Sequence, residues 1–142
     1  MGYYSDVGYA IRFKTDADKD AFIALIAARG GYEYEALKEC EVGDCTITFR
    51  VNEVKWYSHY PDVKGHDSLL IMVDGEFNDR AGYAFVRIGE RNDDIKETCG
   101  GHEGCMEKAS FLVYAQVVRE VVFDTDGLDL CDMSSYIARS HV

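Results

Sequence analysis

The sequence predicts an α+β fold built on one antiparallel sheet, and three observations predict it. Short runs of β-forming residues with period-two alternation recur at 7–14, 46–51 and 83–88. Two stretches between them, 16–29 and 61–78, repeat their apolar residues at three and four, as helices do. Composition then sets the scale: 142 residues, 47% apolar and 13% aromatic, suit a single domain over 1–142 with a sizeable core. Ten Tyr, seven Phe and one Trp are too many for a solvated coil.

The elements follow in order. Residues 7–14, VGYAIRFK, read as the first strand. Thr15 before Asp16, Ala17 and Asp18 is an acid-rich capping start, and Phe22, Leu25, Ile26 and Arg29 continue at helical spacing to Gly30-Gly31. Residues 32–38 alternate aromatic and acidic and read as a half-exposed strand. A turn at Val42-Gly43-Asp44 then leads to a strand from Thr46 to Val51 that extends towards Trp56, which makes a hairpin. Pro61 opens a second helix over 61–78 carrying Val63, His66, Leu70, Val73 and Phe77, with Gly65 and Gly75 each weakening it by roughly 1 kcal/mol relative to Ala. Tyr83–Ile88 is a strand, 89–107 a polar loop, and 111–123, FLVYAQVVREVVF, a last β-rich run whose Val pairs favour a strand over a helix. Strand, helix, strand, strand, helix, strand is the split βαβ order. The expectation is a ferredoxin-like antiparallel sheet with two helices on one face and an extra C-terminal strand.

Charge narrows the functional classes. There are 26 acidic against 15 basic side chains, a formal net of −11. Residues 90–142 hold eleven acids and five bases, the most anionic third. Direct nucleic-acid binding needs a basic patch, and Lys and Arg here stand mostly singly. An acidic surface instead suits a protein partner with a basic surface, because it speeds encounter and competes with a natural polyanion. No apolar run is long enough to span a membrane, and the opening MGYYSDVGYA has neither a basic start nor an apolar stretch. The expected location is cytoplasmic.

Two constellations could carry chemistry. Cys40 and Cys45 bracket the hairpin turn, Cys99, His102 and Cys105 fall in the polar loop, and Cys131 stands apart. Two short-spaced pairs with a histidine are a candidate zinc set, although four and five intervening residues exceed the tight two-residue spacing and the acidic neighbours keep the thiols protonated. The alternative is five reduced thiols and no cofactor, which an odd count fits better than a disulfide framework. The second constellation is carboxylate-rich. Glu90, Asp93, Asp94 and Glu97 follow a strand end, and Asp124, Asp126 and Asp129 lie near the C-terminus; both groups are candidate partner-binding loops. The second group lacks the register and the distant Glu of a calcium loop. Nucleophile-elbow and phosphate-loop motifs are missing, and His59, His66, His102 and His141 are scattered. His66 falls on a helix's apolar stripe and reads as a half-buried packing residue. Trp56, Tyr57, His59 and Tyr60 form an aromatic cluster that reads as packing first and as a binding surface second.

Gly2-Tyr3-Tyr4-Ser5-Asp6-Val7, and Tyr83-Ala84-Phe85-Val86-Arg87-Ile88-Gly89-Glu90 followed by Asp93-Asp94-Ile95, cover about twenty of the 142 residues. In these blocks the chain resembles a group of small acidic proteins of uncharacterised role encoded by bacteriophages. The resemblance implies a non-structural accessory protein made in an infected bacterial cell. It implies no reaction, and the cysteines lie outside it.

The expected function is therefore a non-catalytic acidic binding protein, phage-derived, that docks on and inhibits a host or defence protein by occupying a nucleic-acid-binding groove. The alternatives are a zinc protein or small enzyme using the Cys/His loop, and a protein that sequesters a small ligand in an aromatic pocket. The apolar run at 111–123 adds a further option, a homodimer formed by pairing of sheet edges.

Overall fold

The computed structural model describes residues 2–91 and 93–114. They form a five-stranded antiparallel sheet with four helices. The first strand, β1 (Ser5–Phe13), is central. It pairs antiparallel with β3 (Thr46–Val54) on one side and with β4 (Ala81–Gly89) on the other. The full order is β2-β3-β1-β4-β5, with β2 at Glu41–Gly43 and β5 at Ile95–Gly101. This departs from the expected ferredoxin-like sheet with its extra C-terminal strand, because the added strand is β5, beside β4, in the stretch where a polar loop was expected.

Alternation along β1 explains the layers. Val7, Tyr9, Ile11 and Phe13 project to one face and join the main core. That core is closed by three helices, α1 (Asp16–Arg29), α2 (Gly31–Lys38) and α3 (Pro61–Gly75). Phe13, Phe22 and Phe77 meet there with ring centroids 5.3 and 5.2 Å apart. Ala10 projects to the opposite face, where Ala84, Val86 and Ile88 of β4 pack with Ala109 and Val113 of α4 (Glu103–Val113). The helices therefore lie on both faces, and the expected two-helix layer on one face is corrected.

Caps and turns fix the local boundaries. The Thr15 hydroxyl accepts the Asp18 N–H at 3.1 Å, and Gly30, at φ 65°, ends α1. Lys19 bonds the Gly43 carbonyl at 2.6 Å, and the Cys45 N–H donates to Asp16 Oδ1 at 2.7 Å, so α1 is tied to the β2–β3 turn. The backbone N–H of Cys45 and the Lys19 ammonium hold the Asp16 carboxyl below its usual range.

Three predicted elements are corrected. Residues 32–38 are α2 and not a strand: Ala36 and Leu37 are buried with Tyr34 partly buried against them, while Glu35 pairs with Lys38 at 2.8 Å one turn on. The aromatic–acid alternation marks a mostly exposed helix surface. The segment 89–107 is not a loop, since it holds β5 and the start of α4. Phe111–Val113, where the sequence predicts the start of a strand, are helical, Tyr114 caps that helix, and the run from 115 to 123 lies outside the described residues. Gly65, which weakened the prediction of α3, is required there, because a Cβ would run into the Tyr32 carbonyl where α2 crosses α3.

Candidate binding groove

Three helices do not cover the whole of their sheet face. Over β4 and β5 they leave an open groove of ≈ 960 Å³. One wall is α3, which contributes Val63, Asp67, Leu70, Ile71 and Asp74 at steps of four, three, one and three, a single helical face. The floor comes from alternate strand residues, Tyr83, Phe85 and Arg87 of β4 with Lys96 and Thr98 of β5. Trp56, Tyr57 and His59, in the chain between β3 and α3, form one end with Tyr3 and Asp94.

A bulge sets that end. Between Ser5 and Val7 the β1–β3 register slips by one residue, with Glu53 at φ 53° and its N–H donated to Asp6 Oδ1 at 2.9 Å. Such a bulge bends its strand. Beyond it Trp56 lies against Phe49, His66 and Phe85, with centroids 6.0, 5.5 and 6.4 Å apart. The His59 ring stacks on Tyr57 at 5.9 Å and meets Tyr60 edge-on at 4.8 Å. The aromatic cluster read from the sequence thus divides: Tyr57, His59 and Tyr60 pack on one another, Trp56 packs on Phe49, His66 and Phe85, and Trp56, Tyr57 and His59 also line the groove.

The polar end is braced. Arg87 grips Asp94 through both terminal nitrogens at 3.0 and 3.3 Å, and the Tyr3 hydroxyl donates to Asp94 at 2.6 Å. The Tyr3 N–H in turn donates to the Tyr57 hydroxyl at 2.7 Å. The Arg87 bonds, then the Tyr3 bond, pull the Asp94 carboxyl down to about 2. Asp67 behaves in the opposite way. It is half-buried, and burial pushes its pKa up, against the pull of Lys96 and His66. Burial, with Asp74 nearby, also pushes up the Tyr83 phenol.

Behind Trp56 lies a buried polar chain. His66 is 2% exposed, with Nδ1 2.6 Å from the Tyr9 hydroxyl and Nε2 2.8 Å from Glu39 Oε1. The Tyr9 hydroxyl also reaches Cys40 Sγ at 3.3 Å. His66 is therefore fully buried and hydrogen-bonded, where the sequence suggested half-buried packing.

The predicted site residues are dispersed. Glu90 accepts the Tyr4 N–H at 2.8 Å, and Asp93 is exposed 3.9 Å from Arg91. Asp94 is committed to Arg87, while Glu97 accepts the Tyr114 hydroxyl at 2.6 Å on the α4 side. Asp124, Asp126 and Asp129 lie outside the described residues. Cys40 packs against the α1–α3 core, where burial pushes its thiol up to about 11. Cys45 sits in the hairpin turn at φ 58°. Cys99 packs across the sheet with the α4 cluster, Cys105 is buried in α4, and His102 caps that helix by accepting the Cys105 N–H at 3.3 Å. Among the described residues no three His, Cys, Asp or Glu gather as metal ligands do.

Sequence reasoning missed Asp67, Asp74, Arg87 and Lys96. The signal was there for Asp67: it falls between Val63 and Leu70 on an apolar stripe, where a carboxylate is out of place unless that stripe is open to water. Among the described residues no helix is long and apolar enough to cross a membrane. Comparison with protein-family models, with curated proteins and with solved structures finds no significant match.

Proposed function

We propose that this is a non-catalytic binding protein that docks on a partner with a basic surface, and that the groove between α3 and β4–β5 takes the partner's Lys or Arg side chains. The observation that carries this reading is the pairing of aromatic faces with carboxylates in one open groove: Trp56, Tyr57 and Tyr83 with Asp67 and Asp74. Aromatic faces attract cations by about 0.5–2 kcal/mol each, depending on desolvation. Asp67 and Asp74 supply opposite charge along the wall, seven residues or roughly 10 Å apart along the helix. The net charge of −11 steers such a partner from a distance. Asp94 neutralises the Arg87 guanidinium, and the Lys96 ammonium on the floor is outnumbered by the two wall carboxylates.

In the setting implied by the phage-like blocks, the partner is a bacterial host or defence protein whose nucleic-acid groove is occupied and so inhibited. The segment β1-α1-β2-β3-α3-β4 is, on this reading, a split βαβ unit of the ferredoxin-like kind, to which β5 and α4 add a strand and a cover.

Calorimetry with a tetra-arginine peptide tests the reading. Binding should weaken as salt rises and should fall about tenfold in the Asp67→Asn, Asp74→Asn double variant. Equal binding by the variant, or preference for a tetra-glutamate peptide, sinks it.

A further inference from the structure

The groove and the buried polar chain share a boundary. The His66 ring lies between Phe49, 4.1 Å away, and Trp56, 5.5 Å away, and Trp56 lines the groove on its other side. The next residue on α3, Asp67, is part of the groove wall. We propose that His66 is a proton switch for the groove: on taking up a proton it reverses the Tyr9 hydroxyl, and the resulting positive charge behind Trp56 and beside Asp67 weakens the groove's hold on a cationic side chain. This rests on the reading of the groove as a site for cations.

The hydrogen-bond chain has a defined direction. A carboxylate only accepts, so Nε2–H of His66 donates to Glu39 and Nδ1 accepts the Tyr9 O–H. The incoming proton comes from solvent and settles on Nδ1, which becomes a donor. The Tyr9 oxygen must then accept from it and turn its own proton to Cys40 Sγ, 3.3 Å away. Cys40 remains a donor to the Ala36 carbonyl at 3.4 Å. Every buried polar atom keeps a partner in both states, so the ring can take the charge without leaving an orphan.

The titratable groups facing the ring are few. β1 presents Tyr9, the end of α2 presents Glu39 with Cys40 behind Tyr9, and α3 itself presents Asp62 and Asp67. β3 and the chain after it present only the rings of Phe49 and Trp56. Burial is the largest influence and disfavours the charged ring, while Glu39, Asp62 and Asp67 favour it. The folded protein therefore holds His66 neutral near pH 7 and charges it below the ordinary midpoint of 6.5. A cation beside Asp67 and a proton on His66 compete for the same negative field. By linkage, each weakens the other by one factor.

Trp56 is the only tryptophan, so its emission reports both events. The test follows Trp56 emission and the His66 imidazole nitrogen resonances in the whole protein between about pH 5 and 7. The account expects both to titrate with one midpoint below 6.5. His66→Gln should abolish the emission change, and Asp67→Asn should move the midpoint lower. Tetra-arginine should bind at least about fivefold more weakly below that midpoint than above it. An imidazole that does not titrate, a midpoint unmoved in Asp67→Asn, or peptide affinity that ignores the titration would each overturn the switch. If the peptide fails to bind at any pH, the groove reading fails by itself, and the Asp67→Asn midpoint still decides the switch. Should His66→Gln not fold, the wild-type resonances and Asp67→Asn carry the same decision.

Discussion

The two faces of the sheet solve packing in different ways. Towards α1–α3 the strands present Val7, Tyr9, Ile11, Phe13, Ile47 and Phe85, large side chains that hold the helices away from the sheet. Their layer reaches β5 where Asp74 of α3 lies against Gly100, and the groove is the part of β4 and β5 that remains uncovered. Towards α4 the strands present Gly82, Ala10 and Ala84, and the helix comes so close that a Cβ at Gly82 would strike the Met106 backbone nitrogen. One face has volume to spare and polar groups within it. The other is tight and apolar at its centre. The proposed binding falls on the first face, where Trp56, Tyr57 and Tyr83 look into open space beside Asp67 and Asp74.

Mutations can break or sharpen this contrast. The largest effect is expected on the large-side-chain face, where Phe22→Ala removes a fully buried ring and should cost about 3–5 kcal/mol in chemical denaturation. On the tight face the reverse change does the damage. Gly82→Ala overfills the contact with α4 and should cost about 1–3 kcal/mol, whereas Gly75→Ala, with open space around its Cβ, should be neutral or slightly stabilising. Equal effects at Gly82 and Gly75 would remove the basis for calling the α4 face tight.

Acid should probe the groove end. Asp94 has a folded-state pKa of about 2 against an ordinary 3.8, so its contribution is complete above the ordinary value and disappears as pH falls through about 2. Thermal unfolding between these limits should show a slope that flattens in Asp94→Asn. Smallest of all should be the response to chelation. With Cys40 on one face and Cys99 and Cys105 on the other, a chelator should leave the unfolding midpoint unchanged, and elemental analysis should find no stoichiometric zinc. A chelator-sensitive midpoint would reopen the metal reading.

What was legible in the sequence tracks how each segment earns its structure. β1, β3, β4, α1 and α3 carry their periodicity in their own residues, and the predicted limits fall within a few residues of the observed ones. The segment at α2 failed because Tyr32-Glu33-Tyr34-Glu35 has period two by composition, while its burial comes from packing against α3 through Gly65, a contact 33 residues away in the chain that local pattern cannot reveal. β5 was missed since Ile95-Lys-Glu-Thr-Cys99 is polar at most positions and owes its strand to the ladder with β4. The acidic loop at 90–97 looked like one surface in the sequence, but its alternation across β5 and the Arg87 clasp divide it. The groove was only half legible. Its aromatic end lies in one stretch, Trp56–His59, whereas its carboxylates meet those rings only after folding.

The central claim is that cationic side chains enter the groove and not the 90–93 turn. Backbone amide NMR during a tetra-arginine titration tests it most directly. The account predicts that shifts cluster at Val63, Asp67, Ile71 and Asp74 on α3, at Tyr83 and Phe85 on β4, and at Lys96 and Thr98 on β5. Shifts confined to Glu90, Arg91 and Asp93, with those groove amides unmoved, would contradict it.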